Sequence, residues 1–245
     1  MENEFIPLSI DDTFAFSCNR QVTCFNECCR DLNQFLTPYD ILRLKTHLGL
    51  PSDQFLTRYT AQHTGPDTGL PVVTLRPGPD LQCPFVTPDG CSVYPDRPSS
   101  CRIYPIARAI TRSRETGRIT EHFALLKESH CKGFATEKTQ SVREWIASQG
   151  LADYFALNDE MMEIISLKNQ LRPGPLDLAA ARLFHLGCYD LDGFKAQILD
   201  TGRLESMNPD PALVRAALTD DKALLKLSLW WVKTSLFGSA GRPAE

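Results

Sequence analysis

The sequence has no long uninterrupted hydrophobic run, no excess of positive charge and no glycine-rich phosphate-binding loop. Its most apolar C-terminal stretch, from Ala223 to Phe237, is too short to cross a bilayer and is interrupted by Lys226 and Lys233. The net charge of −4 argues against broad nucleic-acid binding, because phosphate contacts need a basic surface. No glycine cluster follows a strand into a helix, and no Gly-x-Ser-x-Gly motif occurs. The common nucleotide-binding and serine hydrolase signatures are therefore excluded.

The N-terminal segment MENEFIPLSIDDTFAF lacks a basic region followed by an apolar stretch. No secretory signal is predicted there, so we expect a cytoplasmic protein with no membrane partner. Thiols stay reduced in the cytosol, where a cysteine pattern more often indicates metal binding or catalysis than a disulfide framework.

Cysteine is the abundant reactive residue of this chain. There are nine cysteines, an odd number that fits a disulfide framework poorly, and eight of them fall within the first 131 residues. The candidate metal ligands are a first run of Cys18, Cys24, Cys28 and Cys29, and a second run of Cys83, Cys91 and Cys101 with Cys131 as its fourth member. The ninth, Cys188, lies in a helical pattern and is interpreted as a core residue.

Thiolates from nearby loop positions can converge on one metal group. Zinc takes four of them tetrahedrally at about 2.3 Å, and a [4Fe–4S] cluster also takes four. Eight cysteines suffice for two such sites, or for one cluster plus spare thiols. Adjacent side chains such as Cys28 and Cys29 diverge, so one ion will rarely accept both. The pair favours a multinuclear or two-site arrangement. A reactive thiol is a third possibility, for which His130 beside Cys131 is the sequence-adjacent activating candidate.

Local signals predict the elements of the front half. Thr37, Pro38 and Asp40 are typical of a helix start, and Gly49 of its end. Asp89-Gly90 predicts a hairpin between Phe85 and Tyr94. Ser52 is expected to cap a second short helix, and strands are predicted at 72–75 and 118–126.

The back half reads as a set of amphipathic helices. Ser141 and Glu144 form a possible capping box, Asn158 is expected to cap the next helix, and Pro209 is expected to open the last one. The predicted fold class is α+β, with an irregular cysteine-rich front half of short helices and a small sheet, and a helical C-terminal half. The predicted regions are 1–135 and 136–245, either as two domains or packed as one.

The segments CFNECCRDLNQFLTPYDILRLKTHLGL and CPFVTPDGCSVYPDRPSSCRIYP, together with Cys131, resemble the YkgJ-type (CxxCxxCC) family of zinc- or iron-chelating cysteine-cluster proteins. The family signature in the second segment is matched by Cys83, Pro84, Phe85, Gly90, Cys91, Tyr94, Arg97, Pro98, Cys101, Arg102, Tyr104 and Pro105. The first run departs from the namesake spacing, with gaps of five and three residues in place of two.

The resemblance implies metal chelation and names no reaction. Flagellin lysine methylases carry a similar cysteine cluster that is iron–sulfur, which favours iron over zinc, but their activity is not carried over because this chain has no recognisable donor-binding motif. Arg97 and Arg102 are expected to donate to thiolates or to backbone carbonyls and to offset the negative charge of the site. The alternative for them is a salt bridge with Asp89 or Asp96.

Three functions are consistent with these features. The first is an iron–sulfur protein, with a [4Fe–4S] cluster, in electron transfer or as a redox partner of another protein. The second is a structural zinc protein that acts as an interaction module. The third, supported least, is an iron–sulfur-dependent modifying enzyme. The sequence does not decide whether the protein is an enzyme.

Overall fold

The computed structural model describes residues 4–31, 33–113 and 116–238. The strands are β1 (Glu4–Leu8), β2 (Thr13–Ala15), β3 (Phe35–Leu36), β4 (Thr60–Thr64), β5 (Pro71–Leu75), β6 (Val86–Thr87), β7 (Gly90–Cys91), β8 (Ile106–Arg112), β9 (Ile119–Lys127) and β10 (Thr139–Ser141). The helices are α1 (Pro38–His47), α2 (Ser52–Tyr59), α3 (Ser99–Ile103), α4 (Val142–Ser148), α5 (Ala152–Leu171), α6 (Leu178–Cys188), α7 (Leu191–Phe194), α8 (Pro211–Ala217) and α9 (Asp221–Phe237). The fold class is therefore mixed α+β, as predicted, with small antiparallel sheets towards the N-terminus and a mostly helical C-terminal half.

The contacts of the chain define two compact units, each built from two stretches of sequence. Unit 1 comprises residues up to 32 and 77–153, and unit 2 comprises residues 33–76 and 154 onwards. The division of the sequence at residue 135 stays a prediction. In the described part of the chain, no helix has the length and apolar character needed to span a membrane.

Unit 1 contains an antiparallel sheet of order β1-β9-β8 and two smaller strand pairs, β10-β2 and β6-β7. Its core is aromatic. The Phe16 ring lies 5.7 Å from the Trp145 ring and 5.8 Å from the Tyr104 ring, both edge-on. The Trp145 indole N–H donates to the Ile103 carbonyl at 2.8 Å, so this polar atom is satisfied within the core. These contacts hold the segment after β2 against α3 and α4.

Unit 2 combines a sheet of order β3-β5-β4 with the longer helices. The best-buried positions include Phe55, Phe184 and Phe194, and Leu227 on α9. Helix α6 approaches α9 at Gly187, where an added Cβ would lie 2.3 Å from a Val232 methyl group. Close approach of the two helices therefore depends on glycine at this position.

Ser52 begins α2 but does not cap it, because its hydroxyl is engaged elsewhere. It donates to Asp190 at 2.7 Å, and its backbone N–H donates to Asp192 at 2.7 Å. The Lys45 ammonium lies 3.1 Å from the same Asp192 carboxylate. The expectation that Ser52 is a helix cap was wrong, since these carboxylates of the α7 segment offer it stronger, charge-assisted hydrogen bonds.

Asp192→Asn is expected to reduce stability at neutral pH and to have little effect in acid. Burial raises the pKa of Asp192, but hydrogen bonds from Ser52 and the charge of Lys45 outweigh it, so the net pKa is lowered. A lowered pKa contributes stability above the unfolded value of about 3.9, and this contribution is lost as the pH falls through the folded value. The carboxylate is 45% exposed, so we expect a difference of roughly 1–2 kcal/mol at pH 7.

Urea unfolding of wild type and Asp192→Asn at pH 7 and pH 3 measures this difference. Asp53→Asn is the matched control, because it removes an exposed carboxylate from the first turn of α2, next to Ser52. A stability difference between wild type and Asp192→Asn that is the same at both pH values would contradict the assignment.

Candidate metal centre

The eight candidate cysteines all lie in unit 1, and none of them is in a disulfide or in the buried core. Cys18, Cys28 and Cys101 are exposed, and the other five are half-buried. Cys188 alone is buried, on α6 in unit 2, which confirms its interpretation as a core residue. Thiols that are neither cross-linked in disulfides nor packed as hydrophobes are available as ligands.

Backbone pairing brings the first and second cysteine runs together. Cys28 and Cys29 sit in a 3-10 turn, Glu27–Cys29, which follows Asn26 in the left-handed region at φ 70°. The Cys83 N–H donates to the Cys29 carbonyl at 2.8 Å, and Arg30 and Gln82 form a β-bridge beyond it. The two cysteine runs are distant in sequence, and this short ladder sets them side by side.

A tight hairpin places Cys91 close to Cys83. Val86 pairs with Cys91 across β6 and β7, and the Val86 N–H donates to the Cys83 carbonyl at 3.1 Å. Gly90 makes the turn at φ 116°, a backbone conformation that favours glycine. The Asn26 side chain donates to the Thr87 carbonyl at 2.9 Å, which joins the first run to this hairpin.

Cys131 lies beside the first run. It follows β9 in a turn closed by its own N–H to the Glu128 carbonyl, at 3.0 Å. The next residue, Lys132, donates its backbone N–H to the Cys24 sulfur at 3.1 Å. Sequence grouped Cys131 with the second run, whereas the fold sets it next to Cys24.

The thiols act on one another electrostatically, and these effects define a first thiol group of Cys18, Cys24, Cys28 and Cys131. Burial is the largest cause that raises the pKa of Cys18 to about 11, and thiolates at the other three positions raise it further. Burial also raises the pKa of Cys131, where Cys24 adds to the effect. Cys18 is thus near enough to the other three thiols for their charges to raise its pKa.

A second thiol group comprises Cys29, Cys83, Cys91 and Cys101. The pKa of Cys29 is raised by its hydrogen bond to Cys28, by burial, and by the thiolates of Cys83 and Cys101. Burial raises the pKa of Cys83, and Cys91 adds to it. Burial likewise raises the pKa of Cys91.

Cys28 influences the pKa values of cysteines in both thiol groups. Its thiolate contributes to the raised pKa values of Cys18, Cys29, Cys83 and Cys91. The hydrogen bond from the Cys29 thiol is the largest cause that lowers the pKa of Cys28 itself, to about 7, against the opposing effect of burial.

Arg97 and Arg102 bind backbone and amide oxygens next to the second thiol group. The Arg97 guanidinium lies 3.9 Å from the centroid of the Tyr94 ring, donates to the Tyr94 carbonyl at 2.8 Å and donates to the Gln149 amide oxygen. Arg102 donates to the Gln149 carbonyl at 2.7 Å and to the Pro95 carbonyl. Donation to backbone carbonyls, one of the two expected roles, is therefore present.

The positive charge of Arg97 also affects the pKa values of cysteines in the site. Burial lowers the pKa of this buried guanidinium, and the thiolates of Cys101 and Cys91 act in the opposite direction. Arg97 in turn lowers the pKa of Cys18 and Cys91. Asp89, an alternative partner predicted from sequence, is instead 3.2 Å from Arg20. Arg97 thus supplies positive charge to both thiol groups.

Tyr104 is a residue of the site to which sequence reasoning gave no role of its own. Its hydroxyl is buried, and no partner in the described residues meets hydrogen-bond geometry with it. Burial is the largest cause that raises the pKa of Tyr104, followed by Cys131 and then Glu128. The hydroxyl therefore faces the Cys131 thiol and the Glu128 carboxylate. The signature position alone, which accepts Tyr or Phe, does not reveal this role.

The donor set fits a thiolate-bound metal group in type and number. Eight thiols lie in unit 1, electrostatic effects link members of each thiol group, and a cationic guanidinium and a buried tyrosine hydroxyl lie beside them. Within residues 4–31, 33–113 and 116–238, no three His, Cys, Asp or Glu side chains are arranged so that they could hold a metal ion. The backbone gathers the thiols, and rotation about χ1 sets the final position of each sulfur.

Comparison with protein families agrees with this geometry. Residues 17–132 match the CxxCxxCC family model, described as a "Putative zinc- or iron-chelating domain". The matched span contains all eight candidate cysteines, both arginines and Tyr104, and it excludes Cys188. Searches of curated proteins and of solved structures gave no match. The family resemblance deduced from the sequence is confirmed, and the chain carries a cysteine-rich domain of the zinc- or iron-chelating type.

Proposed function

We propose that unit 1 holds an iron–sulfur cluster of the [4Fe–4S] type through its clustered cysteines and serves in electron transfer or as a redox partner. The observation that carries this proposal is the gathering in unit 1 of eight cysteines from segments far apart in sequence, none of them in a disulfide. Thiolates are the ligands that iron–sulfur clusters take in proteins. When bound, such a cluster supplies one-electron chemistry.

The Cys28–Cys29 pair supports a group larger than one ion. The two thiols belong to different thiol groups, so each can bind a different iron of one cluster or a different metal group. Their hydrogen bond sets the two sulfurs side by side, whereas the sequence predicted that the adjacent side chains diverge. The ligands are drawn from Cys18, Cys24, Cys28, Cys29, Cys83, Cys91, Cys101 and Cys131.

Charge and exposure also support a redox centre. Four thiolates around a [4Fe–4S]²⁺ core leave a net charge of −2, which the buried Arg97 guanidinium offsets from nearby. Cys18, Cys28 and Cys101 are exposed, so a cluster bound by them would lie close to the protein surface. A surface position suits electron exchange with a partner protein.

Zinc is the second candidate, and the division into two groups of four thiols favours it. Each group has the ligand number of one tetrahedral structural zinc site. The metal would then hold the loop-rich unit 1 together, and the protein would act as an interaction module. Zinc sites of this kind contribute folding free energy directly.

Metal and acid-labile sulfide content of anaerobically purified protein tests the proposal. We expect brown protein with visible absorbance and about four iron and four sulfide per cluster. Colourless protein with one or two zinc ions and no sulfide would replace the iron–sulfur proposal with the zinc one. Folded protein with neither metal would overturn both.

Tyr104→Phe is expected to change the properties of the centre without emptying it. The buried hydroxyl is placed to donate a hydrogen bond to a metal-bound sulfur of Cys131, and such bonds raise the reduction potential of a cluster. The variant should therefore keep its iron content and show a more negative potential. Protein-film voltammetry measures the shift.

Tyr59→Phe is the control for this prediction, since it removes the same hydroxyl from unit 2, which contains none of the eight candidate cysteines. It should leave both iron content and potential unchanged. Equal potentials in wild type and Tyr104→Phe would show that the hydroxyl does not act on the centre.

A further inference from the structure

Unit 2 contains a cleft of about 400 Å³ that the metal centre does not use. One wall is the loop 64–69, and the other is the end of α5 with the turn that follows it. Pro66, Pro173 and Pro175 present apolar rings, while Thr68, Lys168 and Asn169 contribute polar atoms. Mostly apolar walls with a few polar groups are typical of small-molecule sites.

The walls of the cleft are held by close backbone packing. Gly69 has φ 64°, and a Cβ added there would lie 2.6 Å from the Gly174 carbonyl oxygen and 2.8 Å from the Pro175 Cα. The Leu176 N–H donates to the Gly69 carbonyl at 3.2 Å, and the Gly69 N–H donates to the Gly65 carbonyl at 2.8 Å. The cleft is therefore a defined feature of unit 2.

Lys168 is the most deeply buried lysine of this unit, with 1% of its surface exposed. Its ammonium donates to the Thr68 carbonyl. An ammonium carries three donors, and among the described residues no carboxylate lies within 4 Å of this one. A buried charge with only a neutral partner is costly, because neither water nor a counter-ion compensates it.

The two other buried lysines of unit 2 show the usual arrangement. Lys45 is 7% exposed and lies 3.1 Å from Asp192, and Lys233 is 9% exposed and lies 3.3 Å from Glu163. Each of these ammonium groups faces a carboxylate of the protein. Lys168 is more buried than either, faces no carboxylate in the described part of the chain, and lines the cleft.

We propose that this cleft binds a small molecule with a carboxylate or phosphate group, and that Lys168 is the counter-ion of that group. The anion accepts the free N–H donors of Lys168, while the apolar part of the molecule packs against the three proline rings. Asp67 also lines the cleft, but it is exposed and its charge is solvated. It therefore opposes anion binding only weakly.

Titration of the full chain with inorganic phosphate and with benzoate tests the proposal and distinguishes a phosphate from a carboxylate ligand. Sodium chloride at equal ionic strength is the reference in each titration. We expect a saturable rise in the unfolding temperature with at least one of the two anions. Lys168→Met should weaken the binding of that anion by about tenfold or more, which is the effect of losing a charge-assisted hydrogen bond.

Arg172→Met is the matched control. Arg172 carries the same charge four residues further on, but it lies outside the cleft wall and pairs with Asp177 at 3.2 Å. Its removal should leave the anion response unchanged. A response equal in wild type and Lys168→Met, or no response beyond that of chloride, would overturn the proposal.

Two further measurements keep the test decisive if Lys168→Met does not fold. In wild type, the NMR amide signals of Gly69 and Gly174 should shift with the effective anion, and unchanged signals would overturn the proposal. If Lys168→Met does fold, its unfolding temperature without anion should equal or exceed that of wild type, because an uncompensated buried charge has been removed. A large fall in the unfolding temperature would overturn the proposal, because it would show that Lys168 has a purely structural role.

Discussion

Cys28→Ser is expected to lose at least about half of the metal bound per chain. The Cys28 thiolate raises the pKa of members of both thiol groups, namely Cys18, Cys29, Cys83 and Cys91. A serine hydroxyl is a poor substitute for a thiolate ligand of zinc or iron. The loss is about half if two metal groups are held, and nearly complete if one cluster is held. Elemental analysis with a sulfide assay measures it.

Cys188→Ala is the matched control for this prediction. It also removes one cysteine, but Cys188 is fully buried on α6 in unit 2 and lies outside the chelating domain. Its metal content should equal that of wild type, with stability lower by about 1 kcal/mol because a small cavity is left. Equal metal content in Cys28→Ser and Cys188→Ala would show that Cys28 is not a ligand of the metal centre.

Metal removal is expected to loosen unit 1 and to leave unit 2 folded. Metal binding contributes about 10–16 kcal/mol in small zinc domains, which is comparable to the whole stability of a typical domain, about 5–15 kcal/mol. Unit 1 relies on short strands and loop hydrogen bonds around its cysteines. After chelation, the amide protons of Asp31 and Cys83, which bond Leu81 and Cys29, should exchange at least about 100-fold faster.

Hydrogen exchange with and without a chelator measures this effect for both units at once. The internal reference is α9 in unit 2, where Leu227 and Val232 are fully buried and exchange should not change. Equal acceleration in both units would show that the metal stabilises the whole chain. No acceleration in either would show that the metal is not structural.

Local side-chain chemistry explains the elements that the sequence predicted correctly. Thr37 and Asp40 form a reciprocal capping box at the start of α1, and Ser141 and Glu144 form another at α4. Both depend on residues three positions apart, which helix geometry brings together in any context. The β6–β7 hairpin follows for the same reason from the glycine at position 90.

Two helix boundaries were predicted wrongly, one because tertiary packing outweighed local preference and the other because Asp210 and Asp220 provide better local helix starts. Asn158 was expected to cap a helix, but it lies inside α5, which begins at Ala152. Burial of Tyr154 and Leu157 stabilises a helix that begins earlier and continues through Asn158. Pro209 was expected to open one long helix, but α8 begins at Pro211 and ends at Ala217, and α9 starts anew.

Residue type and spacing by themselves determined the chemistry of this protein: soft thiolate donors, a chelating-domain signature and the cysteines that carry it. Tertiary structure alone decided which thiols meet. It set Cys131 beside Cys24, and among the described residues it left Lys168 buried without a carboxylate partner. It also joined residues 33–76 to the C-terminal stretch. The reason is physical, since ligand chemistry, caps and turns depend on neighbours within a few residues, whereas these arrangements depend on contacts between segments distant along the chain.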